Sequence, residues 1–159
     1  MKVKMTSLFS GALLVAGFFS TAYAQVPAYS KGLTIEMANK CLAAAQAEAR
    51  KNSWFMVISV VDDGGHLVAL ARMDNAQIAS VKISIAKARA ANNFRRPTKV
   101  FQDRVKDDAS VLGLPGAITS EGGVPLMLDG KIIGAVGASG GTSQQDGVVA
   151  KACADIIGK

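Results

Sequence analysis

Residues 124–128 and 131–138 are two apolar, β-rich runs separated only by Asp129-Gly130. An Asp-Gly link of two residues suits the positive backbone angles of a tight hairpin turn, so the two runs are expected to pair antiparallel. The second run, Ile132-Ile133-Gly134-Ala135-Val136-Gly137-Ala138, leads straight into Ser139-Gly140-Gly141-Thr142-Ser143-Gln144-Gln145-Asp146, where a helical pattern begins. A Gly-rich turn feeding a helix N-terminus leaves backbone N–H groups aimed outward beside the positive end of the helix dipole. Gly140, Gly141 and Thr142 are therefore candidates to hold a carboxylate or phosphate.

The rest of the chain supplies a second hairpin and several helices. Thr34 offers an N-cap for a helix to about Lys51, with Ile35, Ala38, Leu42, Ala45 and Ala49 at helical spacing. Residues 54–61 and 66–73 read as strands around the turn signal Asp62-Asp63-Gly64-Gly65. A helix over 78–92 follows, with Ile78, Val81, Ile85, Ala88 and Ala91 as its buried stripe and Lys82, Lys87 and Arg89 elsewhere on its circumference. Arg96-Pro97 breaks it, Thr98 caps a short helix through Val105, and 112–120 is a loop. The last helix spans 144–157. Two antiparallel hairpins with helices around them indicate an α+β layered sandwich, not a wound parallel sheet.

Residues 1–24 carry the marks of a secretory signal peptide: Lys2 and Lys4, an apolar run over 8–19, and Ala22-Tyr23-Ala24 as a cleavage site. The apolar run falls short of the roughly 20 residues of a membrane span. The mature domain is thus expected to be 25–159, exported to the periplasm or secreted, with no span of its own. Of the formal charge of +6, Lys2 and Lys4 supply two, leaving +4 spread over the mature chain. Adjacent basic pairs such as Arg95-Arg96 do not make the basic stripe that nucleic-acid binding requires. Cys41 and Cys153, in the first and last helices, can form one disulfide or remain two buried thiols. If closed, so long a loop would stabilise the fold by about 4–5 kcal/mol.

Spacing removes the nucleotide readings of the Gly-rich turn. Glycines at 134, 137, 140 and 141 do not make G-x-G-x-x-G, and no Lys follows Gly141 to make a P-loop. Gly134 and Gly137 read instead as allowing close helix–sheet packing. A Ser139, His66 and Asp62 triad lacks the G-x-S-x-G elbow, so no catalytic residue is assigned.

The hairpin Val60-Val61-Asp62-Asp63-Gly64-Gly65-His66-Leu67-Val68-Ala69, with Arg72-Met73-Asp74-Asn75-Ala76, resembles the GlcG/HbpS family. So do Glu121-Gly122-Gly123-Val124-Pro125 and residues 137–146. The resemblance covers the chain from Leu33 onward. It implies a profilin-like antiparallel sheet flanked by helices, assembled into homo-oligomers. Some family members bind haem, including secreted ones and the related C-terminal domain of PduO-type proteins. One secreted group is linked to haem degradation and to redox sensing with a sensor kinase, and other members sit near glycolate metabolism.

His66 is the sole imidazole, so any His-ligated haem iron must use it; the alternative is a histidine bonded to the turn. Alternation places it with Val68, Leu70 and Arg72 on one strand face, where Arg72 could meet a propionate. In the secreted haem-binding members, axial ligation belongs to a more N-terminal position, where this chain has no histidine. Met73 and Tyr29 are further axial candidates. Arg72 and Lys87 are candidate carboxylate holders, and Glu121 is a loop carboxylate able to act as a base or simply to be solvated. Three functions therefore compete: an exported haem or tetrapyrrole binder, a binding protein or enzyme for a small hydroxy- or keto-acid, and a ligand-free oligomeric partner of a periplasmic complex.

Overall fold

The computed structural model describes residues 32–157. The expected signal peptide, Tyr29 and the last two residues lie outside the described residues. Among the described residues, no helix is long and apolar enough to cross a membrane.

The first helix, α1 (Ile35–Lys51), starts where Thr34 Oγ1 accepts from the Met37 N–H at 3.2 Å. It ends as Ser53 turns left-handed and the Trp54 N–H returns to Ala49 O. That closure keeps Trp54 and Phe55 out of the sheet, so β1 is Val57–Asp62 and begins three residues later than its composition suggests. The returning strand β2 is Leu67–Arg72, and α2 follows at Ala79–Phe94. A short helix α3 (Lys99–Arg104) and a single 3-10 turn (Ala109–Gly113) lead to β3 (Gly123–Leu128), β4 (Lys131–Ser139) and α4 (Ser143–Ala154). Asp129 and Gly130 both have positive φ, as the tight hairpin turn demands.

The four strands form one antiparallel sheet in the order β2-β1-β4-β3, so the two hairpins join through their inner strands. Alternation then sorts the residues of the central pair into two layers. Ile58 and Val60 of β1 and Val136 and Ala138 of β4 face α1 and α4, where they meet Ala38, Leu42, Ala45, Val149 and Ala150 in the main core. Cys41 and Cys153 close a disulfide inside this layer, tying α1 to α4 across 112 residues of sequence.

On the other face the sheet is lined by small residues, and α2 lies directly upon it. Ser59 and Ser84 share a 2.6 Å hydroxyl contact, and Ser139 donates to Ser80 at 3.1 Å. Val61 and Ala135 pack with Ala88 and Ala91. A Cβ on Gly137 would collide with the Ser84 carbonyl oxygen and stand 2.6 Å from the Ala88 nitrogen. Gly137 is therefore a helix–sheet contact, as expected, but Gly134 is not. Its missing side chain makes room for the Val61 carbonyl of the neighbouring strand, beside the bulge where β3 and β4 shift register.

The expected buried stripe of α2 holds at Ala88 and Ala91 and is corrected at Ile78, Val81 and Ile85. Ile78 is 77% exposed and Val81 and Ile85 are half-buried, whereas Ser80, Ser84 and Lys87 are buried. The helix turns its small-residue face to the sheet because Ser59, Gly137 and Ser139 leave no room for branched side chains there. Its apolar outer face is left open.

Candidate functional site

Lys87 is the most deeply buried charge in the fold, at 1% exposure. Its ammonium reaches across the end of β4 to Asp146 Oδ2 at 2.7 Å and donates to Glu121 O at 2.6 Å. The glycines of 121–123 make this crossing feasible. A Cβ on Gly122 would stand 3.0 Å from Lys87 Nζ, and one on Gly123 would overlap the Lys87 carbonyl. Asp146 Oδ1 in turn accepts from the Gly141 N–H at 3.0 Å. Burial pushes the Asp146 carboxyl above the ordinary carboxylate range, against the pull of the Lys87 ammonium and the Gly141 N–H.

The Gly-rich turn does hold an anion, and the anion is the protein's own. The Gly141 N–H is used by Asp146 and the Thr142 N–H by Gln145 Oε1 at 2.9 Å, while Thr142 Oγ1 accepts from the Gln145 N–H. This capping box takes up the Thr142 and Gln145 N–H groups within the chain. The reading of Gly140, Gly141 and Thr142 as an open anion site is thereby corrected, and Lys87 has spent its charge on the same internal carboxylate. Sequence alone shows Asp146 at the head of a helix but not which cation faces it.

Arg72 is held by a main-chain carbonyl and not by a carboxylate. Its Nε and Nη2 both donate to Ala76 O, at 3.2 and 2.9 Å, closing the loop after β2. His66 and Met73 flank β2 at opposite ends, separated by roughly 20 Å of extended chain, so they do not converge on one iron. Arg72 stands at the far end from His66 as well, which removes it as a propionate partner for a haem at His66.

His66 itself is exposed, and its Nδ1 lies 3.3 Å from Asp62 Oδ1. The same carboxylate oxygen accepts the His66 backbone N–H at 2.8 Å, so Asp62 fixes the turn. The imidazole lies back over Gly64, where a Cβ would come within 2.8 Å of Nδ1. Nδ1 stands beside the carboxylate without a hydrogen bond to it, and the exposed ring leaves Nε2 open to solvent. Among the described residues no cluster of three or more His, Cys, Asp or Glu could hold a bare metal ion.

The turn carrying His66 is bolted to the C-terminal half of α2. Arg89 Nε donates to Gly65 O at 3.0 Å and Asn92 Nδ2 to Asp63 O at 2.9 Å. Beside these bonds, the outer face of α2 and the loop before β3 enclose a groove of about 370 Å³. Ile85, Ala86 and Ile118 form its apolar wall, and Lys82, Arg89 and Asn93 its polar edge. Sequence reasoning assigned Ile85 to the core and left Lys82, Arg89 and Asn93 without a role. The signal for the groove was the run of small residues that turns the opposite face of α2 inward.

The profile of a family described as haem-degrading protein HbpS-like matches residues 33–155. The chain belongs to the HbpS-like family. Protein GlcG of Escherichia coli K12 is 48% identical over 108 residues, covering 67% of this chain and 81% of its relative. A double mutant of HbpS from Streptomyces reticuli superposes with a TM-score of 0.75 at 28% identity, covering 87% of this chain and 99% of that one. The haem complex of PduOC superposes with a TM-score of 0.70 at 26% identity, over 79% and 94% of the two chains. The α+β architecture read from the two hairpins is that of these HbpS-like structures.

Proposed function

We propose that this HbpS-like protein is an exported haem-binding protein, and that haem docks in the groove on the outer face of α2 with His66 as its axial ligand. The observation that carries the reading is the groove itself. It joins an apolar wall to two cations, Lys82 and Arg89, next to the turn that holds the sole imidazole. These residues fit haem, which is an apolar disc with two carboxylates and an iron that accepts a neutral imidazole. Ile85, Ala86 and Ile118 would take the edge of the macrocycle out of water. Lys82 and Arg89 would pair with the propionates, and His66, on the turn that Asp62 fixes, would offer Nε2 to the metal. Bound haem would supply a redox-active iron, the basis for a role in haem handling or redox sensing. The haem complex of PduOC supports the choice of ligand.

Two features support export: the leader pattern of residues 1–24, and a buried disulfide of the kind that persists in oxidising compartments. Homo-oligomers are part of the same proposal, and native mass spectrometry of protein from its own host would read assembly, cleavage before Gln25 and bound haem together. Titrating the mature protein with hemin should give a saturable Soret band. His66→Ala should shift that band or abolish it, and an unchanged spectrum would remove His66 from the site. The small-carboxylate reading is disfavoured because Lys87 is paired with Asp146 and the Gly141 and Thr142 N–H groups are bonded within the chain.

A further inference from the structure

A second cavity, of about 320 Å³, lies at the opposite edge of the sheet, between β3 and α4. Pro97, Val124 and Ala154 make it largely apolar, and Glu121 enters its wall. The Glu121 main chain is fully used, its N–H donating to Gln102 Oε1 at 2.8 Å and its carbonyl accepting from Lys87. Its carboxylate makes no hydrogen bond or ion pair among the described residues. It lies flat against α4 at Gly147, where any Cβ would overlap Oε1. Gly147, buried within a helix, is costly to helix propensity, and its role is to seat that carboxylate.

The lysines on the cavity wall are engaged elsewhere. Lys99 pairs with Asp103 at 2.5 Å, a carboxylate it shares with Lys106, and Lys151 pairs with Asp155 at 2.5 Å. Glu121, which Lys99 meets only through the longer-range field, is therefore the one carboxylate of this small, mostly apolar lining without a contact partner among the described residues, half-buried and able only to accept hydrogen bonds. A pocket with an apolar lining and one convergent polar group is the usual form of a small-molecule site.

We propose that this cavity is a ligand site distinct from the α2 groove, taking an organic ammonium ion with a short apolar body. The ammonium donates to the Glu121 carboxylate, and the alkyl part lies against Pro97, Val124 and Ala154. The site stands independently of haem binding, because no residue is shared between the two cavities.

Butylammonium, butanol and butyrate, matched in apolar body and differing in head group, are the probes. Each is titrated into the mature protein with chemical shifts of α4 amides as the readout. Butylammonium should bind saturably and more tightly than the other two. Glu121→Gln, which keeps every main-chain bond of the residue, should weaken it by about tenfold or more. Gly147→Ala keeps the charge but displaces the carboxylate, and should weaken it as well. Butanol binding as tightly, a preference for butyrate, no saturable binding, or an unchanged affinity in Glu121→Gln would each overturn the proposal.

Discussion

Lys87 shows how one side chain can organise a fold and yet be hidden in its sequence. Helical periodicity puts lysines on solvated faces, and nothing local marks this one as different. The clues are distant: Gly122 and Gly123 clear its path, and Asp146 waits 59 positions along the chain. Removing one member of a buried pair leaves an uncompensated charge, so Lys87→Met should cost about 3–5 kcal/mol in urea unfolding. Adding Asp146→Leu should recover part of that loss, less the bond to Gly141, and a double-mutant cycle measures the coupling. Exposed charges behave differently. Asp108 caps the 3-10 turn, and the hydrogen bonds from Ser110 and then Arg104 lower its carboxyl from 3.8 to about 2. A carboxyl depressed on folding adds stability above its unfolded value, which is lost as pH falls through the folded one. Asp108→Asn should therefore lower stability at neutral pH, flatten the acid limb of the curve between pH 3.8 and about 2, and leave stability below that range little changed. A curve that keeps its slope would show that the cap does not couple to folding.

Among elements, the hairpins were the most legible and α2 the least. The Asp129-Gly130 and Asp62–Gly65 turns are specified by the backbone angles their residues accept, which local sequence encodes directly. The orientation of α2 is set by what the sheet leaves free, and that depends on β1 and β4 becoming neighbours. Ser59, Gly137 and Ser139 fall on one face only after that pairing is known, and they then select Ser80, Ser84 and Ala88 over the larger Ile78 and Val81. Gly137→Ala tests this layer. Its Cβ meets main chain of α2, which cannot rotate away, so overpacking should cost about 1–3 kcal/mol or more in denaturant melts. Gly116→Ala, in open space on the loop lining the groove, should cost less, any loss there coming from its positive φ alone. Equal costs at the two positions would contradict the close seating of α2. The same seating explains why the groove escaped sequence analysis: Ile85 has the right period for a core residue and lies on the face that the sheet does not cover.

At the scale of the whole molecule, the two outer layers are stabilised by different means. The α1–α4 layer is oily and stapled by Cys41–Cys153, whereas the α2 layer relies on small residues, paired hydroxyls and one ion pair. Cysteine count made the disulfide one of two readings, and the packing of the first helix against the last, which brings the two sulfurs together, decides between them. Cys41→Ser with Cys153→Ser should lower stability by about 2–5 kcal/mol, and reducing agent should do the same to the wild type while leaving the variant unchanged. This division leaves the outer face of α2 free to carry a groove without disturbing the core. That haem occupies the groove is the central claim, and the most direct test is a nuclear magnetic resonance titration with gallium protoporphyrin, a diamagnetic stand-in for haem. Perturbed amides should cluster at His66, Ile85, Arg89, Asn93 and Ile118; perturbations elsewhere with these residues unmoved would contradict the account.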